Sequence, residues 1–265
     1  MSFCKTNNVS TMKSSPKVSV VIPVYNEEKY ILQTLNRIVS QSYKNYEIII
    51  VNNNSTDNTD AIIKYFLTKT PTTLNIEYVT EYRQGTNYAR ECGRRLATGE
   101  IIALLDADCL PDFYWVENGA KKLQTKNIVA ATGAYFYYDA NIALRLFSLV
   151  SQLTIFKLVN RIIQHTKKGA ILIGGNAFMN AALLQQVGGF NTNLTFYGDD
   201  IDIAIKLSKY GFVSYSTILT IKTSSRRYKA CGFWKVNKKY QTIFKDLLLG
   251  KTLTESQTVE LVHPR

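Results

Sequence analysis

Residues 100–108 read Glu-Ile-Ile-Ala-Leu-Leu-Asp-Ala-Asp, an apolar run that ends in two carboxylates separated by one residue. The mostly apolar run from Glu100 to Leu105 predicts a short buried strand. Asp106 and Asp108 would then be fixed at the end of that strand, where both can face one divalent ion. Carboxylate oxygens suit Mg²⁺ or Mn²⁺, which keep some water and take phosphate oxygens as further ligands. A turn-forming aspartate pair without a ligand is the alternative.

Upstream of this run, the chain alternates between apolar strands and helical patterns. The predicted strands are Val18 to Pro23, Tyr46 to Val51 and Ile76 to Thr80, and the predicted helices are Glu27 to Gln41, Thr59 to Phe66 and Asn87 to Ala97. This alternation predicts an α/β fold in which parallel strands carry helices on both faces of the sheet.

Polar clusters follow three of the predicted strands. They are Tyr25 to Glu27, Asn52 to Asp57 and Asp106 to Asp108. In sheets of this class, ligands bind beyond the carboxyl ends of the strands. Three separate segments are therefore expected to converge on one crevice.

The pattern changes after Asp108. Strands are predicted at Ile128 to Tyr138 and from Phe212 to Thr223, a strand or turn at Gly174 to Met179, and helices at Asn141 to Ile163, Ala181 to Val187 and Asp200 to Tyr210.

Composition and charge narrow the classes of partner. The 265 residues are 46% hydrophobic, enough for one large core or one domain with a small appendage. Thirty-two Lys and Arg against 20 Asp and Glu give a formal charge of +12. This excess favours anionic partners such as nucleotides, acidic lipids, phosphorylated acceptors or nucleic acid.

The cysteines and the N-terminus indicate a cytoplasmic chain. Cys4, Cys92, Cys109 and Cys231 form no CxxC pair, which favours reduced thiols over a zinc site or disulfides. Residues 1–16 are polar, lack the apolar core of a signal peptide and are expected to form a flexible tail.

The apolar segment Asn141 to Ile163 admits two interpretations. Arg145, Lys157 and Arg161 interrupt it, so it lacks the roughly 18 uninterrupted apolar residues of a membrane span. It can lie in a membrane interface beside anionic lipids, at the inner face of the cell membrane, or it can pack over an acceptor site as a buried helix.

Five segments, in order and spacing, resemble the family 2 glycosyltransferases, which have a GT-A fold. They are VSVVIPVYNEE (18–28), VNNNSTDNT (51–59), GTNYARECGRRLATGEIIALLDAD (85–108), GGNAFMNAALLQQVGGFN (174–191) and GDDIDIAIKLSKYG (198–211). The resemblance implies a Rossmann-like, mixed and mostly parallel sheet, a nucleotide-diphospho-sugar donor and inverting transfer to a hydroxyl acceptor.

The resemblance also implies roles for residues of the donor site. Pro23, Tyr25 and Glu27 would line the nucleoside pocket, with Tyr25 stacking on the base. Asp106 would approach the ribose and the diphosphate, and Asp108 would bind the metal. Gly85 and Arg90 lie where the family closes the donor site, and Arg90 can pair with phosphate oxygens. For Tyr25 and Arg90, a core aromatic and a surface helix arginine are the alternatives.

One departure concerns the nucleotide base. The family often has an Asp after the second strand that accepts a hydrogen bond from the base, and this chain has Asn52 and Asn53. An amide donates as well as accepts and carries no charge. UDP-, GDP- and dTDP-sugars therefore all remain candidate donors.

The family's acidic motif implies a general base. Asp200 aligns best with the carboxylate that takes the acceptor's proton, Asp199 is its rival, and Asp202 would cap or orient the helix start. Further along, Arg226 and Arg227 can clamp a diphosphate or an anionic acceptor, with a solvated basic turn as the alternative.

The expected organisation is a tail (1–16), a GT-A domain (17–225) with a nucleotide-binding half (17–110) and an acceptor half (111–225), and a basic helical extension (226–265). The expected reaction is hexosyl transfer in envelope or surface polysaccharide or glycolipid synthesis, with an acceptor that can be lipid-linked.

A sugar nucleotidyltransferase lacks support because no glycine-rich phosphate loop follows the first strand. A non-catalytic nucleotide- or anion-binding module, or one for nucleic acid, would not need the clustered carboxylates.

Overall fold

A computed structural model describes residues 15–70, 73–165, 169–194 and 198–248. The strands are β1 Val18–Val24, β2 Tyr46–Asn52, β3 Ile76–Thr80, β4 Ile101–Leu105, β5 Ile128–Thr132, β6 Tyr135–Tyr137, β7 Asn176–Asn180, β8 Phe212–Tyr215 and β9 Ile221–Thr223. The α-helices are α1 Ile31–Ile38, α2 Thr59–Lys69, α3 Thr86–Leu96, α4 Trp115–Leu123, α5 Ile142–Ser151, α6 Lys157–His165, α7 Ala181–Gln186, α8 Asp199–Ser208, α9 Arg226–Cys231 and α10 Phe233–Leu248.

Seven strands form one mixed, mostly parallel sheet in the order β3-β2-β1-β4-β7-β5-β8. β1, β2, β3 and β4 are parallel neighbours, and β5 and β8 are parallel to each other. β7 runs antiparallel to both β4 and β5 and joins the two parallel groups. β6 and β9 form a small second sheet. The predicted α/β class and the mixed sheet are confirmed.

Both faces of the large sheet are covered by helices, because its strands are apolar on both sides. On one face, α1, α2 and α4 bury Leu35, Phe66 and Trp115 against β1, β2 and β4. On the other face, α3, α7 and α8 bury apolar side chains of their own. Along β1, alternate residues point into the two cores: Val20 lies in the first and Val21 in the second.

Two predicted strands, Ile128–Tyr138 and Phe212–Thr223, are broken in the structure. β5 and β8 pair within the large sheet, and the chain then leaves it, so that β6 and β9 pair in the small sheet. At the break, Gly133 passes so close to the main chain of Leu219 that a Cβ on Gly133 would collide with it. The apolar pattern continues through both breaks, which is why the sequence does not reveal them.

The first predicted helix, Glu27–Gln41, is shorter in the structure. The main-chain amides of Tyr30 and Ile31 both bond to the Glu27 carbonyl, so residues 27–30 form a turn and α1 begins at Ile31. The main-chain amide of Glu27 donates to Thr59 Oγ1 at 2.8 Å. This bond fixes Glu27 beyond the end of β1 instead of inside a helix.

The predicted tails lie largely outside the described residues. Ser15 and Pro16 are described, and their carbonyls accept hydrogen bonds from Asn45 and Tyr43. The described part of the C-terminal extension consists of α9 and α10. Among the described cysteines, Cys92, Cys109 and Cys231 are free thiols.

The predicted helix Asn141–Ile163 is present. α5, a π-helical turn at Gln152–Phe156 and α6 form one continuous helix of 24 residues, Ile142–His165. By length and composition alone, this helix is long and apolar enough to cross a membrane.

Candidate active site

The carboxyl ends of β1, β2 and β4 lie side by side because the three strands are parallel neighbours. The segments that follow them bring Glu27, Asn53, Asp106 and Asp108 to the same edge of the sheet. This convergence is what the spacing of polar clusters in the sequence predicts.

Asp106 is held by contacts from three elements. Its main-chain amide bonds to the Gly175 carbonyl at 3.2 Å. One carboxylate oxygen, Oδ1, lies 3.3 Å from the Arg90 guanidinium, and the other accepts from the Tyr135 hydroxyl at 3.4 Å. The side chain is about one-third exposed, so it keeps a face toward the crevice.

Gly174 and Gly175 allow this close approach. A Cβ on Gly175 would overlap the Asp106 carboxylate and the Tyr135 hydroxyl, and one on Gly174 would press on the Arg90 guanidinium. Side chains at either glycine would therefore push apart groups that the site brings together.

Asp108 and Glu27 share one arginine, Arg226. The guanidinium donates to both Glu27 oxygens, at 2.7 and 2.5 Å, and its Nη2 lies 3.1 Å from Asp108 Oδ2. The same guanidinium stacks over the Tyr30 ring, 4.8 Å from its centroid. Burial lowers the pKa of Arg226, but the neighbouring carboxylates of Glu27 and Asp108 outweigh this effect and raise it, so the guanidinium stays charged.

Burial raises the pKa of Asp108 to about 6, and the nearby charges of Glu27 and Asp106 add to that effect. Arg226 and Arg227 act in the opposite direction but do not outweigh it. Asp108 Oδ1 accepts weakly from Thr223 Oγ1 at 3.4 Å. A carboxylate with a raised pKa in a buried position gains from a further cation.

Arg90 joins the acidic motif to Asp106. It is buried on α3 and pairs with Asp199 through Nη1, while Nη2 faces Asp106. Its Nε is also buried and has no hydrogen-bond partner among the described residues. Arg90 thus keeps one donor for a further acceptor.

Asp199 and Asp200 have different surroundings although they are adjacent. Asp199 is buried against Arg90, whereas Asp200 is half-buried and its Oδ1 accepts from the main-chain amide of Ile201 at 2.9 Å. Burial raises the pKa of the Asp200 carboxyl, and Arg90 and the amides of Ile201 and Gly174 oppose this rise. Asp202 pairs with Lys206 one turn further along α8.

Asn53 is used to position a loop. Its Nδ2 donates to the carbonyls of Glu81 and Arg83, at 3.0 and 2.7 Å, and its Oδ1 accepts from the amide of Gly85 at 2.9 Å. Gly85 has φ 140°, a conformation that favours glycine, immediately before α3. These bonds hold residues 81–85 in place, and a contact between the Asn53 side chain and a base stays a prediction.

The remaining predicted residues also lie at this edge. Pro23 is the second-last residue of β1, and Tyr25 directly follows the strand. Both side chains are half-buried. Arg227 acts electrostatically on both Asp108 and Asp200, which places its charge toward the site.

Three further residues take part in the site without having been singled out from the sequence. Tyr135 and Thr223 contact Asp106 and Asp108. Asp139 accepts from Ser224 Oγ, the Ser225 amide and Lys229 Nζ, at 2.8, 2.6 and 3.1 Å. It fixes the start of α9, from which Arg226 reaches the carboxylates. The run Tyr-Phe-Tyr-Tyr-Asp at 135–139 was the sequence feature that could have indicated Tyr135 and Asp139, but its pattern predicts a strand.

The residues present fit a divalent cation that is completed by a ligand. No group of three or more His, Cys, Asp or Glu side chains forms a cage for an ion within the described part of the chain. Asp106 and Asp108 supply carboxylate oxygens only, and the Arg226 cation already lies against Asp108. Mg²⁺ and Mn²⁺ are typically held by one or two carboxylates together with substrate phosphates.

Comparison with known proteins identifies the family. Residues 19–188 match the profile of glycosyl transferase family 2. Glycosyltransferase AglE of Haloferax volcanii is 30% identical over 189 residues, which are 69% of this chain and 59% of that protein. Glycosyltransferase GlyG of Streptococcus pneumoniae is 32% identical over 125 residues, 47% of this chain and 41% of that protein. The chain thus spans three-fifths or less of these relatives.

Solved structures agree in fold. A mannosyltransferase of Pyrobaculum calidifontis, PcManGT, in complex with GDP-Man and Mn²⁺, superposes with a TM-score of 0.71 at 23% identity, over 94% of this chain and 68% of that one. S. aureus TarS 1-349 in complex with UDP-GlcNAc gives 0.60 at 18% identity, over 93% and 70%. With residues 19–188 matching the family and the sheet matching its folds, the chain belongs to glycosyl transferase family 2 and has a GT-A fold.

Proposed function

We propose that this chain is an inverting glycosyltransferase, which moves a sugar from a nucleotide-diphospho-sugar to a hydroxyl acceptor. The observation that carries the proposal is the meeting of Asp106, Asp108, Arg90 and Asp199–Asp200 at one edge of the sheet. This reaction needs carboxylates that bind a cation, arginines that bind a diphosphate and a carboxylate that accepts a proton.

Donor binding uses residues of the first four strands and the arginines. Asp108, with Asp106 beside it, would hold Mn²⁺ or Mg²⁺ together with the donor's diphosphate. When bound, this ion neutralises charge that develops on the leaving diphosphate. The buried Nε of Arg90 has no partner among the described residues and supports a role for Arg90 in binding a phosphate oxygen. Arg226 and Arg227 would clamp the diphosphate.

Asp200 is our candidate for the general base. It would take the proton of the acceptor hydroxyl while that oxygen bonds to the anomeric carbon and the bond from carbon to diphosphate breaks. Attack on the face opposite the leaving group inverts the configuration. Asp199 is less suited because its carboxylate is paired with Arg90, whereas burial raises the pKa of the Asp200 carboxyl.

The Asp200→Asn variant tests this assignment. We expect sugar transfer to fall by at least about 10²-fold, because no group then accepts the proton, while donor affinity stays within about twofold. Calorimetry would measure donor binding, and product formation would measure transfer. Asp202→Asn is a matched control on the same helix. An active Asp200→Asn together with an inactive Asp199→Asn that still folds would move the role to Asp199.

The same proposal covers the nucleotide and the sugar of the donor, but only as classes of compound. PcManGT binds GDP-Man and TarS binds UDP-GlcNAc, and UDP-, GDP- and dTDP-sugars remain our candidate donors. Residues 17–110 would form the nucleotide-binding half and residues 111–225 the acceptor half. The acceptor would belong to envelope or surface polysaccharide or glycolipid synthesis, at the cytoplasmic side of the membrane.

The two alternatives receive no support. Neither a sugar nucleotidyltransferase nor a non-catalytic binding module is favoured by the family match or by the structural neighbours.

A further inference from the structure

The helix Ile142–His165 has its polar side toward the protein and its apolar side toward solvent. Side chains buried against the domain include Ser148, Gln152 and Asn160. The large apolar side chains that face outward form what we call the outer stripe. Its members, each between 55% and 66% exposed, are Ile142, Leu146, Val150, Ile155, Leu158 and Ile162. A surface helix of a soluble domain normally has the reverse arrangement.

The polar inner side has a structural reason. β8 is the edge strand of the large sheet, and its main-chain groups need partners. Asn160 donates to the Val213 carbonyl at 3.0 Å, and Gln164 accepts from the Val213 amide at 2.7 Å. Gln152 bonds to both the amide and the carbonyl of Tyr135, at 2.9 and 3.0 Å. The amides of this helix therefore cap backbone edges, which leaves the outer stripe to face something else.

The π-helical turn keeps the outer stripe on one side. Ile142, Leu146 and Val150 follow one another at intervals of four residues, and the next member, Ile155, comes five residues later. Five residues would rotate a side chain well away from the row in a regular α-helix, but a π-turn has that repeat. The turn at Gln152–Phe156 spans the step and realigns the second half of the stripe with the first.

The charged residues within the helix have one sign. Residues 140–198 contain no Asp or Glu, whereas Lys157 and Arg161 are exposed beside Leu158 and Ile162. Basic side chains that flank an apolar helix face match the headgroups and acyl boundary of an anionic bilayer.

We propose that the outer stripe lies in the plane of an anionic membrane surface, with its apolar side chains below the headgroups and Lys157 and Arg161 among them. This proposal rests on the proposed function only for the purpose of membrane binding. The observations that support membrane binding do not depend on that function. The bonds from Gln152, Asn160 and Gln164 to the domain exclude a spanning orientation, because a spanning helix would have to lose them.

The consequence for the reaction follows from Tyr135. Gln152 holds the backbone of Tyr135, whose hydroxyl contacts Asp106. Tyr135 therefore contacts both the membrane-facing helix and the candidate metal site. An acceptor carried by a lipid would meet the site at the surface where the helix is bound.

Vesicle flotation with the whole protein tests the proposal. We expect binding to vesicles of phosphatidylcholine and phosphatidylglycerol, weak binding to phosphatidylcholine alone, and release at about 1 M salt, where the Debye length is about 3 Å. The triple variant Leu146→Gln, Val150→Gln, Leu158→Gln should lower binding by at least about tenfold, because it removes buried apolar area. The matched control carries Leu32→Gln and Ile218→Gln, which replace exposed apolar residues elsewhere on the surface.

Several outcomes would overturn the proposal. They are wild-type protein that does not float with anionic vesicles, a triple variant that floats like wild type, and protein that stays membrane-bound at high salt and alkaline pH as a spanning helix would. Wild-type protein could also form a dimer in solution and fail to bind vesicles. If the triple variant abolished that dimer, the outer stripe would be an interface with a second copy of the chain instead. If the triple variant fails to fold, Lys157→Glu with Arg161→Glu serves in its place.

Donor hydrolysis without vesicles, measured on the same proteins, separates this inference from the proposed function. Wild-type protein that hydrolyses a donor but does not bind vesicles would contradict only the proposed membrane contact. Vesicle binding by a wild-type protein that hydrolyses none of the candidate donors would contradict the proposed function and leave the membrane surface standing.

Discussion

Arg226 lies between two carboxylates that come from different strands, Glu27 after β1 and Asp108 after β4. In the described structure it supplies the positive charge that balances this pair. A divalent ion bound to Asp108 would stand beside the same guanidinium, so the arginine would have to turn from Asp108 toward the donor's phosphates. We therefore expect Arg226 to exchange an acidic partner within the protein for one on the ligand when the donor binds.

Asn53 has structural partners that the sequence alone does not reveal. Where the family often has Asp, the amide here suggested a changed contact with the base. The structure shows both of its N–H groups used on the carbonyls of Glu81 and Arg83. The sequence could not show these partners, because they come from a loop about 30 residues away.

Asn53→Asp should therefore damage the loop without creating a preference for uridine donors. A carboxylate cannot donate to two carbonyls, and we expect a loss of about 2–4 kcal/mol in unfolding free energy, together with weaker binding of every donor. Urea denaturation and donor titrations would measure both effects, with the neighbouring Asn54→Asp as control. A stable Asn53→Asp protein that gains affinity for UDP-sugars alone would contradict the positioning role.

At the scale of elements, the first four strands were predicted close to their observed ends, whereas the later ones were predicted without the breaks that divide them. β1 to β4 are short apolar runs that end in polar clusters, and these patterns follow directly from burial on both sides. β5–β6 and β8–β9 each read as one strand, because the apolar pattern continues while the chain moves between sheets. Tertiary contact at Gly133, which no local pattern shows, decides where they break.

The segment from Asp139 to α9 is an element whose position controls the site. We expect Asp139→Asn to raise the KM for the donor by about three- to tenfold with less effect on kcat, because the amide loses the ion pair with Lys229 and one of its acceptor oxygens. Burial raises the pKa of this carboxyl, but its hydrogen bonds outweigh that effect and lower the pKa to about 2, so the effect should not depend on pH above about 4.

Hydrogen exchange across Arg226–Cys231 provides the second readout for Asp139→Asn, because a loosened α9 exchanges faster. Glu117→Gln, which removes a surface ion pair with Lys121, is the control. Unchanged donor KM and unchanged protection of α9 would show that Asp139 does not position Arg226.

At the scale of the whole molecule, the two ends of the sheet make opposite contributions to stability. At the end opposite the active site, Glu47 is buried and bonded to Lys17, Ser19 and Thr98, and these bonds lower its pKa to about 2 despite burial. At the active-site end, burial raises the pKa of Asp108 to about 6. The ionised form is therefore favoured by folding at Glu47 and disfavoured at Asp108.

These shifts predict a pH dependence in the metal-free protein. Glu47 contributes stability above its ordinary pKa of 4.5, and this is lost as pH falls toward about 2. The Asp108 contribution is present below its ordinary pKa of 3.8 and is lost as pH rises through about 6. At pH 7, Glu47→Gln should destabilise the protein by about 2–3 kcal/mol and Asp108→Asn should stabilise it by about 1–2 kcal/mol. Urea denaturation of chelator-treated protein would check both signs, and a destabilised Asp108→Asn would contradict the second.

The central claim is that Asp108 and Asp106 bind a divalent cation together with a nucleotide-diphospho-sugar. Thermal unfolding with UDP-, GDP- and dTDP-sugars, with and without Mn²⁺, tests it most directly. At a donor concentration of about 100 Kd, one donor class should stabilise the wild type by about 2.7 kcal/mol, or about 5–10 °C in Tm, only when Mn²⁺ is present. Asp108→Asn should abolish the shift, and Asp112→Asn should retain it. A full shift in Asp108→Asn, or a wild-type shift that does not need a divalent cation, would contradict the claim.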